Sequence, residues 1–272
     1  MRPKGVERCL STGPRGRATS LARGERTSIP THKRAAAQLI LRASGLPSLQ
    51  PVVVEPEVDA ELNALADRLE AGDDEAVRQA PLAKVEFLRW LTERRDVLFH
   101  GSARDDIETL EPIRLSRDTT EFGNQQAVYA TDDPVWAIYF AILRRHAPFG
   151  TRNGSMAIAG SGVYPRWYDF SLLPPIDPET RFGLGSLYLL PRAPFRSEPP
   201  LLGLFDTAQW VSLERVGPFA RIDVAPTDFP FLHAVGPYSE REPMLFTKAR
   251  AAVRNRTGRG RPEPPPASVR PS

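Results

Sequence analysis

From Val97 onward the apolar residues come in short runs broken by turn residues, which limits the chain to a fold where strands outnumber helices. Val97-Leu98-Phe99-His100 reads as a buried strand ending in Gly101-Ser102. Ala127-Val128-Tyr129-Ala130-Thr131 reads as a second, after which Asp132–Asp133 cap a helix running through His146. Further strands are expected at Ser155–Ala159, Gly185–Leu190, Gln209–Leu213 and Phe219–Val224. Few spacings fit a βαβ unit, so an α+β body is predicted rather than a doubly wound sheet. Tyr164, Trp167, Tyr168 and Phe170 read as a strand packed on the core, with a pocket rim as the alternative.

Ahead of this block the periodicity is helical. Val58, Leu62, Leu65, Ala66 and Leu69 recur at the spacing of one amphipathic face. Asp73–Asp74 offer an N-cap for a second stripe made of Val77, Val85, Leu88 and Leu91, which Pro81 interrupts. Both stripes read as core-facing surfaces.

The two ends differ from the body in charge. Residues 1–50 carry ten Lys and Arg against Glu7 and Glu25, a net of +8, and residues 248–272 carry seven against Glu263, a net of +6. Since the whole chain is only +3, residues 51–247 hold a net of −11. An acidic body argues against a nucleic-acid groove, because phosphates are repelled from it. The Arg-, Ser- and Gly-rich N-terminal segment and the Pro- and Arg-rich C-terminal one have the composition of solvated, disordered tails. Organisation is therefore read as a disordered basic tail over 1–51, a helical extension over 52–96, one folded domain over 97–247, and a second disordered tail over 248–272.

A single cysteine, Cys9, excludes a disulfide framework, and four scattered histidines (His32, His100, His146, His233) give no metal-ligand spacing. The longest apolar run, Val135 to Leu143, is too short to span a bilayer, and no signal peptide is legible. A soluble cytoplasmic protein without metal or membrane attachment is the expectation. Phosphate loops, dinucleotide-binding glycine fingerprints and the nucleophile elbow are missing; Gly160-Ser161-Gly162 does not complete the last of these.

Chemistry is then left to the block around His100. A histidine at a strand end can reach a ligand hydroxyl, and Gly101, lacking a Cβ, lets a planar amide approach the backbone. Ser102 adds a hydroxyl, while Tyr129 and Tyr139 are two rings that could sandwich a flat heteroaromatic. A buried histidine at a turn and two core tyrosines would give the same pattern.

Phe99-His100-Gly101-Ser102, Ala127-Val128-Tyr129-Ala130-Thr131 and Trp136-Ala137-Ile138-Tyr139-Phe140 together resemble the first two motifs of the His-Tyr-Glu class of ADP-ribosyltransferases, which includes diphtheria-type toxins and poly(ADP-ribose) polymerases. The resemblance covers Val97 to Val224 and implies a split β-sheet core that binds NAD⁺ as its substrate. It assigns His100 to ribose hydroxyls, Gly101 to the carboxamide, and Ser102 and Ala130 to the same pocket. Tyr129 and Tyr139, or Phe140 in place of Tyr139, would stack on the nicotinamide. Ile107-Glu108-Thr109-Leu110-Glu111-Pro112 is similar to the loop after the first strand in bacterial relatives, and Asp223-Val224, Pro226 and Asp228-Phe229-Pro230 to the segment that closes such domains.

The class sets a glutamate at the start of a late strand, opposite the developing oxocarbenium charge. Here that place falls on Gln209 of Gln209-Trp210-Val211-Ser212, which keeps a hydrogen bond but no charge. Glu214 and Glu198 are the neighbouring carboxylates. Three functions follow: an enzyme that cleaves the nicotinamide–ribose bond and passes ADP-ribose to a protein or nucleic-acid acceptor (an RNA 2′-phosphotransferase-like activity included), a degenerate module that binds NAD⁺ or ADP-ribose without turnover, or a structural domain.

Overall fold

The computed structural model describes residues 29–115, 122–145, 149–239 and 253. The first 28 residues of the expected N-terminal tail, all of the C-terminal tail but Val253, and His146 at the end of the expected helix lie outside the described residues. Within them the chain runs through α1 (Thr31–Ala43), β1 (Ser48–Leu49), α2 (Pro56–Glu70), α3 (Ala76–Gln79), α4 (Lys84–Arg94), β2 (Val97–Ser102), β3 (Arg114–Leu115), β4 (Gln126–Thr131) and α5 (Pro134–Ile142). It continues through β5 (Thr151–Ile158), β6 (Arg166–Leu172), α6 (Pro178–Arg181), β7 (Gly185–Pro191), β8 (Arg196–Ser197), β9 (Phe205–Asp206), β10 (Gln209–Ser212), β11 (Ala220–Val224) and β12 (Gly236–Pro237).

The architecture is α+β. One sheet has the order β11-β7-β2-β4-β10-β8, with β3 also on β4, and every neighbour in it is antiparallel. A second sheet has the order β1-β6-β5-β9, with β12 adding a short parallel pairing to β6. Helix α5, apolar almost all round, lies between them, as a helix buried on every side must. Its Ala137 and Ala141 rest directly on the first sheet: a Cβ on Gly101 would stand 1.9 Å from the Ala137 carbonyl oxygen, and one on Gly185 2.1 Å from that of Ala141. On its other side Tyr139 packs its ring 4.6 Å from Phe170 and 5.5 Å from Phe229, in an aromatic cluster with Tyr168 and Phe231.

Helix α2 starts with Pro56, carries Glu57 and Asp59 in its first turn and Arg68 in its last, and buries Leu62, Leu65, Ala66 and Leu69, as its stripe requires. The second stripe is divided around Pro81 into α3 and α4, and α4 buries Val85, Phe87, Leu88, Trp90 and Leu91. Both helices pack on the same core as α5 and the first sheet.

Several boundaries differ from expectation. The disorder expected through residue 51 gives way to α1 and β1: Ala37, Leu41 and Leu46 cover Ile158 and Trp167, and Ser48 pairs with Trp167. So few apolar residues do this work that the basic composition around them hides it. Helix α5 stops at Ile142, short of His146, because Leu143 turns extended and bridges to Phe182.

Candidate functional site

Strand β2 pairs with β7 along its whole length, from Val97–Pro191 to Ser102–Ser186, but with β4 only at Phe99–Thr131. Past that point β2 and β4 are no longer laddered together. His100 spans the gap with its Nδ1 donating to the Tyr129 carbonyl oxygen at 2.7 Å. A carbonyl only accepts, so the proton of a neutral ring sits on Nδ1 and Nε2 is its acceptor. His100, Gly101 and Ser102 thus form one lip of the gap, and Tyr129 and Ala130 the other.

Each lip is fixed by its surroundings. Tyr188, opposite His100 on β7, is buried; its hydroxyl donates to the Arg104 carbonyl oxygen (3.0 Å) and accepts from the Ile107 N–H (3.1 Å). The segment after β2 is thereby folded back over the sheet, and Leu110 continues it by bridging to Val216. Ser102 Oγ accepts from the Arg104 N–H at 3.1 Å. Tyr129 is half-buried, and its hydroxyl lies 2.7 Å from the Gly123 and 2.6 Å from the Gln125 carbonyl oxygens, holding its ring against the turn before β4. Ala130 belongs to a small core with Leu98, Val128 and Leu190.

Gly101 has a structural reason for lacking a side chain, since the Ala137 carbonyl occupies the place of a Cβ. Any contact it makes with a ligand is through its backbone. Tyr139 does not fit its assigned stacking place: it has no solvent exposure, its hydroxyl lies 2.8 Å from Thr151 Oγ1, and burial raises its pKa. The period of α5 turns position 139 to the second sheet. Phe140, the alternative, is half-buried and meets Trp136 and Tyr139 edge-on or tilted.

The third motif stands apart from His100. Gln209 pairs with Thr131, which pairs with Phe99, so these three share one face of the sheet. His100 is next along β2 and points to the other face, whereas Tyr129, two residues before Thr131, shares the face of Gln209. Glu214 is exposed beyond the end of β10, with its backbone N–H and carbonyl both on Ser212 Oγ. Glu198 is nearer: its N–H donates to the Gln209 carbonyl at 2.8 Å, and its Oε2 accepts from Thr207 Oγ1 at 2.6 Å.

Two further groupings had no motif to announce them. Around the β4–α5 turn, Asp133 caps α5 through the Val135 N–H and accepts from Ser155 Oγ (2.5 Å), Tyr164 and Tyr168 (3.3 Å each). Beside it Arg166, fully buried, donates to the Val163 carbonyl and Ser155 Oγ and lies 3.6 Å from Asp132 and 4.0 Å from Asp206. Burial foremost, then the Asp206 charge, pushes Asp132 up to about 6, against the pull of Arg166 and Arg192. The second grouping is a cleft of about 480 Å³ at the end of β2, lined by Lys84, Asp105, Arg144 and Ser186 among others. Arg144 is legible only as a charge following an apolar helix; nothing in sequence announces that it lines one cleft with Lys84 of α4.

Compared with protein-family models, curated proteins and solved structures, the chain has no match. Among the described residues no group of three or more His, Cys, Asp or Glu could hold a metal ion. None of the described helices is long and apolar enough to cross a membrane. The expected closing segment packs as a structural unit: Asp228 accepts from the Ala225 N–H and pairs with Lys84 at 2.8 Å, and Phe229 is buried.

Proposed function

We propose that this chain is an NAD⁺-binding protein of the ADP-ribosyltransferase type, with the nicotinamide end of the dinucleotide seated where the pairing of β2 and β4 ends. The observation that carries the reading is that gap, with His100 across it and Gly101, Ser102 and Tyr129 on its lips. Strand ends that stop pairing leave backbone donors and acceptors to be satisfied by something other than the sheet, and a carboxamide offers both. Tyr129 supplies one aromatic wall; Phe140 replaces Tyr139 as the second.

Binding stands ahead of turnover in this reading. Gln209 has no charge to set against an oxocarbenium ion. A module that holds NAD⁺ or ADP-ribose needs no such charge. Transfer of ADP-ribose to a protein or nucleic-acid acceptor is the second reading, favoured by Glu198, whose backbone N–H is tied to the Gln209 carbonyl and whose carboxylate accepts from Thr207.

Calorimetric titration of the full chain with NAD⁺ tests the proposal. Saturable binding is expected, weakened by about 1–3 kcal/mol in a folded Tyr129→Ala variant that has lost an aromatic platform. Binding untouched by that substitution would move the ligand elsewhere. Turnover is read from nicotinamide release, and abolition by Glu198→Gln would establish the second reading.

A further inference from the structure

The cleft at the end of β2 is separate from the β2–β4 gap, for it lies on the β7 and β11 flank of the strand. Its volume of about 480 Å³ is within the usual range for small-ligand sites. Most of its charges are matched within the protein: Lys84 Nζ pairs with Asp228 at 2.8 Å and donates to the Asp223 carbonyl, and Asp223 pairs with Arg221 at 3.3 Å. Arg144 and Asp105 have no ion-pair partner among the described residues.

Arg144 is nevertheless held in place. Its guanidinium donates to the Leu184 carbonyl and rests on Gly183, where a Cβ would come within 2.6 Å of Nη2. A planar group with five donors and one of them fixed is suited to gripping an anion. Lys84 of α4 stands on the same wall, with its charge already matched by Asp228. Asp105 contributes the opposite chemistry: an ionised carboxylate only accepts, and matches a ligand with hydroxyl donors. A ligand with an anion at one end and hydroxyls at the other meets both demands, and a sugar phosphate has that composition.

We propose that this cleft binds a ribose 5-phosphate group, the unit shared by nucleotides, with its phosphate on Arg144 and its hydroxyls on Asp105. The probes are ribose 5-phosphate, ribose and inorganic phosphate, titrated into the full-length protein and into Arg144→Gln and Asp105→Asn variants. None of them carries nicotinamide, so the result is read independently of whether NAD⁺ binds at the β2–β4 gap. Ribose 5-phosphate should bind more tightly than either fragment. Arg144→Gln should weaken it about tenfold, as expected for loss of a charge-assisted hydrogen bond. Asp105→Asn, at an exposed residue whose loss does not threaten the fold, should weaken ribose 5-phosphate and leave inorganic phosphate unchanged. No binding of ribose 5-phosphate to the wild-type chain, or binding that Asp105→Asn leaves unchanged, would overturn the proposal.

Discussion

The β4–α5 turn and the end of β2 both gather charged side chains, and they do so under opposite conditions. At the turn Arg166, Asp132 and Asp133 are sealed from solvent, and Ser155, Tyr164 and Tyr168 direct their hydroxyls at Asp133. At the strand end His100, Ser102 and Arg144 are partly open, and Asp105 is exposed. A sealed charge costs desolvation whatever it contacts, so it must be matched by the fold itself. An open one can wait for a ligand. The contrast separates charge that joins the two sheets from charge available for recognition, although both follow a strand of the same sheet.

Substitutions should divide along that line. The largest effect is expected from Arg166→Met, which leaves Asp132 and Asp133 buried without their cation; urea unfolding should show a loss of about 3–5 kcal/mol. An unchanged midpoint would mean that the sheets do not depend on this junction.

Asp132→Asn comes next and has a sign that depends on pH. Because its pKa is about 6 in the folded chain and 3.8 ordinarily, the folded state holds the proton more tightly. Wild-type stability should therefore fall as pH rises from about 4 to 6, by at most about 3 kcal/mol, and Asp132→Asn should remove that fall. Parallel stability curves for the two proteins would contradict this.

On the closed side of β2, Gly101→Ala forces a methyl into the Ala137 carbonyl, with an expected loss of about 1–3 kcal/mol in thermal or urea unfolding. Wild-type stability in that variant would show that α5 can withdraw from the sheet. Tyr139→Phe is the smallest: removal of a hydroxyl that meets Thr151 should lower stability by about 1 kcal/mol and leave NAD⁺ affinity unchanged. A loss of affinity there would return Tyr139 to the ligand.

Much of the fold is legible in the sequence where a local pattern decides it. The run Val97–His100 and the block Ala127–Thr131 become β2 and β4, and Leu62, Leu65, Ala66 and Leu69 face the core as their spacing requires. Local pattern fails where pairing partners are distant. Strand β5 begins at Thr151, four residues before its apolar part, because β6 pairs with Arg152, Asn153 and Gly154 as well. Helix α1 rests on Ile158 and Trp167, more than a hundred residues away, so its own basic sequence does not announce it. The site follows the same rule. His100, Gly101, Ser102 and Tyr129 lie close together because adjacent strands carry them. The face on which Gln209 lies depends on register across three strands, and the choice between Tyr139 and Phe140 on a single helical step, neither of which a motif spacing fixes.

The central claim is that the gap between β2 and β4 holds NAD⁺, and the most direct measurement is titration of the full chain and of His100→Ala with NAD⁺, scoring heat and released nicotinamide in the same samples. The account predicts saturable binding to the wild-type chain, little or no nicotinamide release, and a clear loss of affinity in a folded His100→Ala protein. Absence of binding, or equal binding by both proteins, would contradict it.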